Sequence, residues 1–223
     1  MGFFGSIMDR LTLGFFHLFS GRLRKKLREA QLEHNRGVWE KEAPERFIEH
    51  QNRMRDLSYG HAGALSRKLF FGGRKLSAAD NACEVIAVYN ALLVLGEEAD
   101  FPQLLFDFSC RGICFGGVFG TNPAALVRYL KKRGLQTETV RGGRIRAERL
   151  RELEAVYEVF IFTAFNRGRN PFHMIHTMCV TREGDQWQVH NDCGCRSASG
   201  LEDAVLNYND GKGHPICVIG IRK

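Results

Sequence analysis

The chain of 223 residues has no run of about eighteen apolar residues, so no membrane-spanning helix is expected. It also lacks the basic segment that precedes the apolar stretch of a signal peptide. Its early apolar residues (Phe3, Phe4, Ile7, Met8, Leu11, Phe15, Phe16 and Phe19) are interrupted by Asp9 and Arg10. The seven cysteines are an odd number, and their spacing (Cys83, Cys110, Cys114, Cys179, Cys193, Cys195, Cys217) is unlike a small secreted disulfide framework. A reducing, cytoplasmic setting is therefore expected. Internal repeats and low-complexity stretches are absent, and a composition 44% hydrophobic and 26% charged is that of a globular protein rather than a disordered one. Net charge is missing from most of the chain. Residues 76–223 carry 17 basic and 17 acidic side chains, whereas residues 1–75 carry 15 and 8, so the whole surplus of +7 lies in the first third. Such a segment suits an anionic membrane surface or an acidic partner, or is simply a solvated helix face; nucleic acid is not the expected partner.

Two parts emerge, an N-terminal extension over residues 1–76 and a domain over 77–223. In the extension, Phe4, Ile7, Met8, Leu11, Phe15, Leu18 and Phe19 recur at three- and four-residue intervals and predict a helix with one apolar face. That face packs on the protein's core or on a partner helix, or lies on an anionic membrane through residues 3–28, helped by Arg22, Arg24, Lys25, Lys26 and Arg28. Residues 21–58 are charged and helix-prone with a break near Pro44, and Gly60 to Gly73, with four glycines, predicts a loop-rich connector. In the domain, Asp80 and Asn81 predict an N-cap for Cys83 to Leu95, a helix apolar nearly all round and hence buried. Helices are also predicted over Phe101 to Ser109 and over Asn122 to Arg133, the latter with Pro123 in its first turn and Gly134 beyond its end. Strands follow at Thr137 to Val140, Tyr157 to Phe165, Met174 to Thr181, Trp187 to Asn191 and Ile216 to Ile221, with a hairpin turn at Glu183-Gly184-Asp185. Helices followed by a run of strands make an α+β fold, with helices packed against an antiparallel sheet.

A cysteine is a nucleophile as thiolate, and the unsatisfied N–H groups of a helix start favour that form. Cys83 is placed there. In MIHTMCVT, alternation sets Met174, His176, Met178 and Val180 on one strand face, and in WQVHN it sets Trp187, Val189 and Asn191 together. A hairpin brings Asn191 close to His176, where its amide would hold one imidazole nitrogen while the other faces the thiol. His173 and Asp192 are alternatives for the base and its orienting group, Asp192 if the strand register shifts by one.

This order resembles the papain-like cysteine peptidases: a cysteine opening a buried helix, a histidine starting a strand, and a tryptophan-led strand, QWQVHN, ending in asparagine. Within that group the chain is more similar to the bacterial bacteriocin-leader (double-glycine) peptidases, through its short helix-first domain, the segment GTNPAALVRYLKKRG and the strand VYEVFIFTAFN ahead of the histidine. The resemblance covers residues 77–223. It implies a papain-like fold with a cleft between helix and sheet, and a hydrolase of peptide or amide bonds working through Cys83, His176 and Asn191 without a cofactor. The sequence departs from the group in two places. Ser77 stands where the oxyanion-stabilising glutamine is usual, leaving Ser77 and Asn81 as candidate donors, and Glu84 follows the cysteine. A catalytically silent domain that binds a peptide or protein partner in the cleft is the alternative. The N-terminal third could also cover the cleft, as pro-segments do.

The other cysteines raise a metal question. Cys110 and Cys114, with Cys193 and Cys195, would make a tetrahedral zinc site if their loops met, against the alternative of free thiols. The segment CFGGVFGTNP lacks the Gly-Lys-Ser/Thr ending of a phosphate loop and reads as a cleft wall.

Overall fold

The computed structural model describes residues 11–15, 17–168 and 174–223. Most of the apolar segment expected over 3–19, and His173, lie outside the described residues. Residues 11–15 and 17–18 are helical and lead into β1 (Ser20–Gly21), which pairs with β2 (Ile113–Cys114). Helix α1 (Lys25–Glu42) then packs beside α5 (Phe101–Cys110). Between them lie α2 (Ala64–Phe71), α3 (Ala78–Asn81) and α4 (Cys83–Val94). After α6 (Pro123–Lys132) come β3 (Gln136–Arg141), α7 (Ala147–Glu154), β4 (Val159–Phe165), β5 (Ile175–Glu183), β6 (Gln186–His190), β7 (Cys195–Ala198), α8 (Leu201–Leu206) and β8 (His214–Arg222).

The six-stranded antiparallel sheet runs β3-β8-β4-β5-β6-β7 and separates two cores. On β4, Val159 and Ile161 face the core built around α4, while Phe160 and Phe162 face the core under α7 and α8. Period-two alternation produces both faces. Helix α4 is buried from Cys83 to Leu92, as its all-round apolar sequence requires, and each fully buried Val, Leu or Ile contributes roughly 1.5 to 3 kcal/mol. The expected α+β class with helices on an antiparallel sheet is what forms.

The basic extension shares this core. Leu23, Ile48, Met54, Leu57 and Tyr59 pack in the same cluster as α4. Asn90, fully buried, fixes the junction by accepting from the Ile48 N–H at 3.0 Å and donating to the Ile48 carbonyl at 3.1 Å.

Three local expectations need correction. The connector over 60–73 contains α2, whose Leu65, Leu69 and Phe70 are exposed; Gly72 ends it in the left-handed conformation. Asp80 and Asn81 do not cap α4 but belong to α3, capped by Ser77, and Ala82 precedes α4. β7, α7 and α8 were not anticipated, because each is short and two of them are rich in charge.

Candidate cysteine site

Cys83 opens α4 and lines a cavity of about 340 Å³. Its walls come from Asn81, Glu84, Val118, Phe119, Phe165 and Ile175, and Leu11, Thr12 and Phe15 of the N-terminal segment close one side. The glycine-rich segment is a cleft wall, as expected. At Gly120 (φ 66°) a Cβ would stand 2.9 Å from a Glu84 carboxylate oxygen, so glycine lets the backbone approach that side chain.

The thiol is not poised as a thiolate. Burial pushes its pKa well above the ordinary range, the Glu84 charge pushes the same way, and hydrogen bonds from Thr177 only partly compensate. The Sγ of Cys83 lies 3.4 Å from Glu84 Oε2. Glu84 is itself buried, and its carboxyl pKa is pushed up to about 7 by that burial. The helix-start effect expected for Cys83 is thus outweighed by desolvation and a neighbouring carboxyl group.

His176 and Asn191 do come together, but by atoms other than those expected. His176 Nε2 meets the backbone carbonyl of Asn191 at 2.6 Å. Since a carbonyl only accepts, Nε2 carries the proton and Nδ1 is left as an acceptor. The Asn191 side chain turns away: its Oδ1 accepts from the Gln51 N–H at 3.0 Å, and Asn191 adopts φ 65°, which redirects the chain after β6. Burial lowers the His176 pKa and favours the neutral ring.

Among the described residues no hydrogen bond joins Cys83 and His176; the thiol donates to Glu84 Oε2, and Thr177 is the β5 residue that favours its ionised form. The reason is the alternation of β5. Ile175 and Cys179 pack with the α4 core and Met178 and Val180 with the opposite one, so Thr177 rather than His176 is presented to the thiol.

The oxyanion candidates are also committed elsewhere. Ser77 N–H and Oγ both bond Asp80 Oδ2 at 3.0 Å in a capping box. Asn81 borders the cavity, but its Nδ2 donates to the carbonyls of Tyr59 at 3.1 Å and Gly117 at 2.5 Å, and its buried Oδ1, an acceptor, has no partner among the described residues. Neither side chain offers a donor to an oxyanion. Asp192 is paired with Arg196 at 2.7 Å and reaches His176 only through its charge.

The cysteine pairs do not assemble a zinc site. Cys110 meets Arg28, and Cys114 is buried 3.8 Å from Ser20 Oγ, whereas Cys195 lies 4.0 Å from His190 Nδ1 and Cys193 is exposed. The ring that Cys195 does meet, His190, also bonds Glu49, a pairing hidden from the sequence because the two are 141 residues apart.

No protein-family model matches the chain, and no curated protein is similar to it. Among solved structures, the crystal structure of the Pseudomonas avirulence protein AvrPphB is similar at 15% identity with a TM-score of 0.23, covering 91% of this chain and 98% of that one. A likeness of that size says nothing about shared activity, and nothing in these comparisons supports the narrower double-glycine peptidase group.

Proposed function

We propose that the chain is a papain-like domain whose Cys83 cleft binds a peptide segment bearing apolar side chains, and that in the conformation described it holds such a ligand without cleaving it. The observation that carries this reading is the cavity's own wall. Leu11 and Phe15, four residues apart on a helical segment, border the apolar space beside Cys83, so a peptide segment of that character already packs along the cleft. The chemistry agrees: a protonated thiol, a neighbouring carboxyl group and amide donors bonded elsewhere favour binding over turnover.

The test is thermal stabilisation and calorimetric binding with extended peptides carrying Leu and Phe at several spacings. Binding should survive Cys83→Ala and disappear in Ile175→Arg, which puts a charge in the cavity. Peptides that bind Ile175→Arg as tightly as the original chain would refute the cleft as the site.

A second reading, a cysteine hydrolase that assembles on ligand entry, is favoured by one feature. His176 is held with Nδ1 as acceptor, so a shift of β5 by one residue against α4 would present a base to the thiol. In that state Cys83 would attack the carbonyl, and His176 would act first as base and then as acid. A peptidyl thiol trap that captures Cys83 in the original chain but not in His176→Ala would select this reading over simple binding.

A further inference from the structure

A second cluster of chemically able side chains lies outside the residues that line the Cys83 cavity, where β6 ends opposite Cys179 of β5. Glu49 comes from the segment before a short helical turn at Gln51–Arg53, His190 ends β6, and Cys195 begins β7. One donor atom from each lies within 4.8 Å of the others. Glu49 Oε1 is 2.6 Å and Cys195 Sγ is 4.0 Å from the same nitrogen, His190 Nδ1.

The remaining polar atoms of these side chains are already held. His190 Nε2 bonds the Thr181 hydroxyl at 2.7 Å, and Glu49 Oε2 accepts the Asn191 N–H at 3.1 Å. The thiol of Cys195 itself donates to Gln188 Oε1 at 3.2 Å, a bond that a metal ion would replace on deprotonating the sulfur. The contacts of His190 Nε2 and Glu49 Oε2 leave Nδ1 and Oε1 facing each other with Sγ beside them. Fixing the far nitrogen of an imidazole and the second oxygen of a carboxylate is how proteins orient metal ligands. A catalytic Cys-His-acid triad is excluded by the same geometry, because acid and thiol share one ring nitrogen instead of bracketing the ring.

We propose that Glu49, His190 and Cys195 bind a divalent transition-metal ion, zinc by its donor preferences, with a fourth position open toward solvent. Imidazole and thiolate donors beside one carboxylate select zinc over magnesium or calcium, which take oxygen alone. Tetrahedral bonds of about 2.0 Å to nitrogen and oxygen and about 2.3 Å to sulfur put the ligand atoms roughly 3.3 to 3.6 Å apart. The present separations of 2.6 and 4.0 Å straddle that range, so a rotation of the Glu49 carboxyl group and of the exposed Cys195 thiol suffices. His50 approaches the turn between β6 and β7, its Cε1 3.4 Å from the position a Cβ would take at Gly194, and flanks the open side. The ion would clamp the 47–51 segment to the β6–β7 end of the sheet. Glu49 also holds Asn191, whose carbonyl bonds His176, so the clamp would steady that histidine as well.

The experiment is titration of the chelator-treated full chain with Zn²⁺ by calorimetry, and with Co²⁺ by absorption spectroscopy. One ion per chain is expected, with a thiolate-to-cobalt charge-transfer band and tetrahedral d–d bands. Cys195→Ser should abolish the charge-transfer band and weaken zinc binding at least tenfold, with an unchanged circular dichroism spectrum in the absence of metal. Thr181→Val, which frees His190 Nε2, should weaken binding by roughly 10- to 100-fold. Cobalt uptake without a thiolate band, or zinc affinity unaffected by Cys195→Ser, would overturn the proposal. Cys83→Ala and Ile175→Arg should bind metal normally, so the outcome is separate from that of the peptide cleft.

Discussion

Replacing Glu84 by glutamine should make Cys83 more reactive. The substitution keeps shape and volume while removing a carboxylate whose Oε2 lies 3.4 Å from the thiol sulfur. Two unit charges at that separation repel by about 1 kcal/mol in bulk water and about 5 kcal/mol at an effective dielectric constant near 20. Removing that repulsion should lower the Cys83 thiol pKa. The thiolate population, and with it the alkylation rate, should rise roughly fivefold or more above pH 7, about 1.4 kcal/mol being a factor of ten. Below that pH Glu84 holds its proton, its pKa being about 7, so the two proteins should converge. The assay is iodoacetamide labelling of Cys83 followed by peptide mapping at a series of pH values, with Cys193 as an internal exposed control. Burial is the same in both proteins and cancels from the ratio. Equal rates at about pH 8 would show that Glu84 does not act on the thiol.

Stability should respond to the same residue. Glu84 titrates near 7 when folded against an ordinary value of 4.5, so the unfolded chain gives up its proton first. Stability is therefore lost as pH rises from about 4.5 to about 7, by ~3 kcal/mol, and urea unfolding should show Glu84→Gln gaining that much on the original chain between pH 4 and pH 8; a pH-independent difference would contradict the burial of this group. Asn90→Ala strands the buried N–H and carbonyl of Ile48 and should cost about 2 to 4 kcal/mol, read as a lower urea midpoint with unchanged slope. A loss under 1 kcal/mol would mean that the junction between extension and domain is held by packing alone. Substituting alanine at both Leu11 and Phe15 should raise Cys83 alkylation several-fold by opening the side of the cavity that they close, and an unchanged rate would show that the segment does not restrict access.

Long elements with a strong period were legible in the sequence. The long apolar run after Cys83 marked a buried helix, and the short β-branched and aromatic run from Val159 marked a strand packed on both faces. The hairpin at Gly184 and Asp185 set the pairing of β5 with β6, and that pairing carried His176 and Asn191 close together. What failed was finer than an element. Whether Asn191 uses its side chain or its carbonyl depends on a left-handed backbone angle that no spacing encodes. Which β5 residue meets Cys83 depends on how α4 docks on the sheet, where a step of one residue exchanges His176 for Thr177. The pKa of Cys83 reversed its expected direction because helix position is a local property, whereas burial and the orientation of Glu84 are tertiary. Glu49 with His190 was invisible for the same reason, the partners being far apart in sequence and joined only when the extension packs against the end of β6.

The pH dependence of Cys83 alkylation, measured in the original chain and in His176→Ala, bears most directly on a cleft that binds without cleaving. The account predicts a single thiol ionisation well above the ordinary thiol value and the same in both proteins, because His176 does not reach the sulfur. A thiolate already formed near neutral pH, and lost in His176→Ala, would mean that the two side chains pair, and would make the hydrolase the correct reading.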